Sequence, residues 1–176
     1  SKDEFVTFAN ECTVAITAED TKVTLPHGAD GKVAAGHLSA LSLRCTDLVA
    51  RYVPLELNGG VTAVLTAVDG HANRERLVLE NCGITAKSVL AIGNFLLSTT
   101  CFLQQLSLDG NPIGDSGITG LLNEGLLRAE QISLGDVGLT HEGLATLSRF
   151  YLQHIDAMRT THLHVGANDL SEPNDN

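Results

Sequence analysis

Tryptophan is missing from this 176-residue chain, and only five Phe and two Tyr stand in for it. A core built from such a composition has to be aliphatic. Basic residues are also few: 11 Lys and Arg against 21 Asp and Glu leave a formal net charge of −10. That field repels phosphate backbones and anionic lipid heads, so neither nucleic acid as a direct main partner nor a membrane surface is expected. A cationic protein surface is the more natural complement. Charged residues make up only 18% against 43% hydrophobic, which sets the chain among globular rather than disordered proteins.

Other absences remove whole chemistries. The four cysteines, at 12, 45, 82 and 101, form no CxxC pair, and their gaps of 33, 37 and 19 match no zinc-ligand spacing. They read as free thiols in a reducing compartment. No GxSxG, GxxxxGK[ST] or GxGxxG occurs, so neither a nucleophile elbow nor a phosphate loop is present. Asn58-Gly59-Gly60 and Asp109-Gly110-Asn111 are turn signals instead. The opening Ser1-Lys2-Asp3-Glu4 is charged and leads into no secretory apolar segment, and no apolar run reaches the length of a membrane span. The expectation is an intracellular, cytoplasmic protein with no cofactor, its settings including cytoskeletal, ciliary and organellar complexes.

What is there is a repeat. Leu103-Gln-Gln-Leu106-Ser-Leu108-Asp-Gly-Asn111-Pro-Ile113-Gly-Asp-Ser-Gly117 reads LxxLxLxxNxIGDxG. Weaker copies are Leu77-Val-Leu79-Glu-Asn-Cys82-Gly-Ile84, Ile132-Ser-Leu134-Gly-Asp-Val137-Gly-Leu139 and Leu163-His-Val165-Gly-Ala-Asn168-Asp-Leu170. Upstream, Leu38-Ser-Ala-Leu41-Ser-Leu43-Arg-Cys-Thr46 supplies a first copy. The LxL segments start at 41, 77, 106, 132 and 163, separated by 36, 29, 26 and 31 residues. On this reading the polar stretch Asp69-Gly70-His71-Ala72-Asn73 is an insertion that lengthens the first interval.

Each part of the unit has a physical task. Alternation at period two turns both apolar residues of LxL inward and the residue between them outward. The Asn, Cys or Thr three residues later lies where the chain leaves the strand and can bond backbone groups of stacked turns. A Gly-containing bend then leads to a helix. Asp115 to Leu127 carries Leu121, Leu122 and Leu126 at helical spacing; helices also follow Thr85 and Thr140. Thr85, Asp115 and Thr140 are the candidate N-caps. One strand and one helix cannot bury their own apolar faces, whereas stacked copies can.

These strings resemble the ribonuclease-inhibitor-like class of leucine-rich repeats, over about residues 38 to 170. The resemblance implies an α/β, right-handed leucine-rich-repeat solenoid of about five strand–helix repeats, with a parallel concave sheet and convex helices. The turn positions Thr46, Cys82, Asn111, Val137 and Asn168 keep the class's Asn and Cys alternation only in part. Residues 1–37 read as an N-terminal cap, with Thr13–Thr17 and Val23–Leu25 short strands, and 171–176 as a polar tail.

The class mostly binds proteins, so the resemblance implies a non-catalytic interaction module, a scaffolding subunit of a larger eukaryotic assembly such as an axonemal or organellar ribosomal complex. The alternative is a transient regulator or inhibitor of a partner protein. The outward strand residues are the candidate partner-binding set: Arg44, Arg76, Glu80, Gln105, Asp109, Gln131, His162 and His164. Against this stands a merely solvated face. A second class of function, a metal-dependent hydrolase, would draw on His154, Asp156, His162 and His164, since His162 and His164 alternate on one strand face. Surface histidines are the plainer explanation.

Overall fold

The computed structural model describes residues 22–25, 47–56, 59–68, 75–98 and 102–171. Strands and helices alternate along the chain: β1 (Lys22–Leu25), β2 (Asp47–Arg51), α1 (Gly60–Val68), β3 (Arg76–Glu80), α2 (Ala86–Ser98), β4 (Leu103–Ser107), α3 (Gly114–Leu121), β5 (Ala129–Ser133), α4 (His141–Gln153) and β6 (His162–His164). The strands form one sheet in sequence order, each parallel to the next. Parallel neighbours need a crossover, and the helices between β2 and β6 supply it.

The core lies between one sheet face and the helices. Leu48, Leu77, Leu106 and Ile132 occupy one register level and are buried with Val89, Ile92 and Phe95 of α2, Ile118 and Leu121 of α3, and Leu147 of α4. Each fully buried aliphatic side chain contributes about 1.5–3 kcal/mol. Leu163 holds the same level in β6 but is 38% exposed, because no further strand lies beyond it among the described residues.

The first repeat is displaced from its expected place. Leu48 and Ala50 stand opposite Leu77 and Leu79, so they, and not Leu41 and Leu43, fill the inward positions of the strand before β3. Its turn residue is accordingly Val53 rather than Thr46, and the step from Arg51 to its neighbour Glu80 is 29 residues, as is that from Arg76 to Gln105. No insertion at 69–73 is needed to explain the interval. Leu38–Leu43, Arg44 and Thr46 lie outside the described residues, as do Cys12, residues 13–17, Cys45, Cys101 and residues 172–176. Within the stretch read as a cap, Lys22–Leu25 adds to the same sheet as its first strand.

One feature recurs in the turns that follow β2 to β6. Tyr52, Asn81, Gly110, Asp136 and Ala167 each precede the turn residue and each has positive φ, between 51° and 70°. This left-handed residue swings the chain so that the next side chain enters the core. Gly, Asn and Asp accept the conformation readily, Tyr and Ala less so.

The turn residue then ties one repeat to the one before. Asn111 is fully buried; its Oδ1 accepts the Cys82 and Ile84 N–H groups at 2.9 and 3.0 Å, and its Nδ2 donates to the Leu79 and Leu108 carbonyls at 2.7 Å each. Asn168 repeats the pattern one pair of repeats later, accepting from Val137 and Leu139 and donating to Leu134 and Val165. Cys82 reproduces part of it through Sγ, which donates toward the Ala50 and Glu80 carbonyls. Its burial, with Glu80 nearby, pushes the thiol up to about 11 against an opposing hydrogen bond from the Val53 backbone, so it stays protonated at neutral pH.

Two helix expectations change. Thr140 caps α4, its Oγ1 accepting from Glu142 N–H, and Thr85 accepts from Lys87 N–H in the same way. Asp115 is not a cap: it lies inside α3 and reaches forward to the Thr140 N–H and hydroxyl at 2.9 and 2.6 Å. Helix α3 also stops at Leu121 rather than continuing to Leu127. Asn123 takes the Gly125 N–H and donates to the Gly93 carbonyl, and Gly125 sits directly against the Leu96 backbone, where a side chain would not fit.

Candidate docking face of the sheet

The second face of the sheet carries no helix among the described residues. Strand register arranges its side chains in three rows across β2 to β6. Asp47, Arg76, Gln105, Gln131 and His162 form the first, and Val49, Val78, Ser107, Ser133 and His164 the second. Arg51 and Glu80, with Asp109, Gly135 and Gly166 just past the strand ends, form the third.

The part over β2 to β4 is closed. Arg51 Nε donates to Glu80 at 2.5 Å, and Glu80 also accepts from the Ser107 hydroxyl at 2.9 Å. On the other side Arg76 Nε donates to Gln105 Oε1 at 2.8 Å. Between these pairs Val78 is 0% and Val49 2% exposed, and Ser107 is 1% exposed. Long side chains of the two outer rows here pair across strands and flank an apolar middle. Arg76 and Glu80 are committed to partners within the face.

The part over β5 and β6 is open. Gln131, His162 and His164 are exposed, and with Gln105, Ser133, Thr161, Ile132 and Leu163 they line a depression of about 490 Å³. Of the expected binding residues, Gln105, Gln131, His162 and His164 are thus brought together. Asp109 stands at the rim and is engaged: Ser133 Oγ donates to its Oδ2 at 2.8 Å and Gly135 N–H to its Oδ1 at 2.7 Å. His164 Nδ1 lies 3.0 Å from the same Ser133 oxygen, and His162 Nδ1 lies 2.8 Å from Thr161 Oγ1. The His164 ring rests against Gly135 and Gly166, where a Cβ would come within 3.0 and 2.7 Å of it. Those two glycines leave the room the ring occupies, a signal visible in the sequence only once the rows are known.

The Asp109, Ser133 and His164 chain is not a nucleophile arrangement. The serine stands in the middle and gives its proton to the carboxylate, away from the imidazole. The grouping needed for a metal-dependent hydrolase does not form either. His154 Nδ1 lies 2.9 Å from the Phe150 carbonyl at the end of α4 and its ring packs on Phe150, apart from the face that carries His162 and His164. Among the described residues no group of three or more His, Cys, Asp or Glu side chains is placed to hold a metal ion. No helix among them is long and apolar enough to cross a membrane.

No model of a known protein family matches the chain. Over 141 residues it is 32% identical to the ribonuclease inhibitor of Mus musculus, an alignment that takes in 77% of this chain and 28% of that protein. The chain thus spans less than a third of the length of the relative it matches. That distant likeness, joined to a parallel sheet in sequence order with a helix after each of β2 to β5, supports a leucine-rich-repeat-like relationship.

Proposed function

We propose that the chain is a non-catalytic protein-interaction module, a right-handed leucine-rich-repeat solenoid whose helix-free, concave face docks a partner over β5 and β6. The observation that carries this reading is the open depression there, where Gln131, His162 and His164 stand exposed beside a half of the face that pairs with itself. Gln105, Gln131, His162 and His164 make the contacts. Arg76, Glu80 and Asp109 hold the surface in shape, and Arg44, outside the described residues, remains a candidate.

The partner relationship we favour is permanent, as a scaffolding subunit of a larger eukaryotic assembly. All three residues of strand β6 are exposed at the sheet edge, and Leu152, Ile155 and Leu163 are exposed apolar side chains of the last repeat, the kind of end that a neighbour in a complex protects. The second reading, a transient inhibitor or regulator, draws on the name of the mouse relative. Gentle purification of the native protein, followed by size-exclusion chromatography and mass spectrometry, separates them. Elution in a large particle of fixed stoichiometry supports the subunit; elution as a monomer supports the regulator. A Gln131→Trp variant fills the depression, so retention of every co-purifying protein by that variant would remove the face from the account.

A further inference from the structure

We propose that the free edge of β6 takes a parallel strand from the protein partner. That strand carries two alternate apolar residues and, three positions after the second, an apolar or thiol residue rather than Asn. This contact lies outside the depression and rests only on the reading that the chain docks a protein. The stacking of the repeats defines it. Each strand exit donates in step to the next repeat: Leu108 N–H to the Ser133 carbonyl and Gly110 N–H to that of Gly135, then Leu134 N–H to His164 and Asp136 N–H to Gly166. The same two positions in the last repeat are Val165 and Ala167, whose N–H groups meet no acceptor among the described residues. A row of unpaired donors at a sheet edge is a template for one more strand.

Burial follows the same stacking. Leu79, Leu108 and Leu134 are 0% exposed, each with a strand beyond it, whereas Val165 at their level is only half-buried. Leu163 and Leu170 open in the same way relative to Ile132 and Leu139. A strand that continues the rows covers Leu163 and Val165 with two alternate apolar side chains. The turns choose its third residue. Asn111 Oδ1 serves Cys82 and Ile84, and Asn168 Oδ1 serves Val137 and Leu139, so each Asn caps a preceding turn that has none. After an Asn turn the later donor is met locally: Ile113 N–H bonds the Asn111 carbonyl at 2.7 Å, and Leu170 N–H the Asn168 carbonyl at 3.1 Å. The last repeat thus offers the kind of edge that β4 offers to β5, and there the covering residues are Ile132, Leu134 and Val137. Other occupants match less well. Residues 171–176 contain no apolar pair. In a second copy, β5 is already held between β4 and β6, and Val23–Leu25 is followed three positions on by Gly28, which brings no side chain.

The test follows amide hydrogen exchange by NMR in the full chain, with a peptide copy of Ala129–Leu139 as the probe. At saturating peptide, exchange at Val165 and Ala167 should slow by about tenfold or more, while Leu108 and Leu134 are protected with or without it. A Leu134→Asp peptide should give no protection and a Val137→Asn peptide less than the parent. Unchanged exchange at Val165 and Ala167, or equal slowing by the Leu134→Asp peptide, would overturn the proposal. So would protection that grows with the concentration of the chain alone, which would make the occupant a second copy. If the peptide fails while Gln131→Trp still loses its native partner, the docking face stands and the added strand falls. If the peptide protects β6 while Gln131→Trp keeps its partner, the edge stands and the face falls.

Discussion

Over β2 to β4, and again over β5 and β6, the same sheet face is built on the same three rows, yet the two parts behave differently. Over β2 to β4 the outer rows offer an Arg, a Glu, an Arg and a Gln that pair across strands, and Val49 and Val78 vanish beneath the surface. Over β5 and β6 the outer rows offer Gln131, His162, Gly135 and Gly166, which are too short or too neutral to close over the middle. The backbone is shared, so the difference comes from side-chain reach and charge. One part spends its polar groups on itself and stabilises the sheet; the other keeps them for a partner.

The comparison can be broken first at the turns beneath it. Asn111→Ala, in the interior, leaves Cys82 N–H, Ile84 N–H and two carbonyls without partners, and a loss of about 3–4 kcal/mol in urea unfolding is expected. Asn168→Ala, in the half-exposed last repeat, should lose about half as much, because water reaches the groups it strands. Equal losses would mean that the last repeat is as tightly closed as the middle.

On the face itself, Val78→Ala should destabilise by about 1–2 kcal/mol, since it empties a buried site. His162→Gln and His164→Gln, on exposed positions, should each stay within about 0.5 kcal/mol of the parent by the same unfolding measurement. A costly histidine change beside a harmless Val78→Ala would invert the division drawn between the two parts.

A smaller effect lies in acid. Burial works to raise the Glu56 carboxyl, but hydrogen bonds from Ser88 and Thr85 and the Lys87 charge together hold it below the usual carboxylate range. Asp115 is held low first by the Thr140 hydroxyl, against some burial, with backbone bonds from Thr140 and Gly143 and the His141 charge adding to it. For both, the folded state binds its proton later than the unfolded chain does. Their stabilisation is present above the ordinary carboxylate pKa of about 4 and is lost as pH falls through the lower folded values. Glu56→Gln and Asp115→Asn should therefore flatten the fall in melting temperature below about pH 4 relative to the parent; an unchanged slope would show that neither contact joins its repeats. Cys82 acts at the other end: raised to about 11, its thiol stabilises below an unfolded value of about 9, and that contribution fades as pH climbs between the two.

The parts that repeat were legible in the sequence, and those that depend on pairing across the sheet were not. Leu77, Leu106, Ile132 and Leu163 announce their strands through LxL spacing, and Asn111 and Asn168 mark turns because a buried amide is useful only there. The first strand was misplaced because Leu41-Ser-Leu43 matches the pattern better than Leu48-Val-Ala50, whose second inward residue is small and whose turn residue Val53 cannot donate. The left-handed positions at Tyr52 and Ala167 carry no signal in the sequence because neither residue favours that conformation. Alternation alone brought out Gln105, Gln131, His162 and His164 as outward residues. The closure over Val78 could not be read, since it rests on Arg51 meeting Glu80 29 residues away.

Site-specific photocross-linking tests the central claim most directly. A benzophenone amino acid is placed at Gln131 or His164 on the open part of the face, and at Lys87 or Thr119 on the exposed helix layer, in the native protein. The account expects positions 131 and 164 to capture one protein partner in common and positions 87 and 119 to capture none. Capture of that partner only from the helix layer would contradict it.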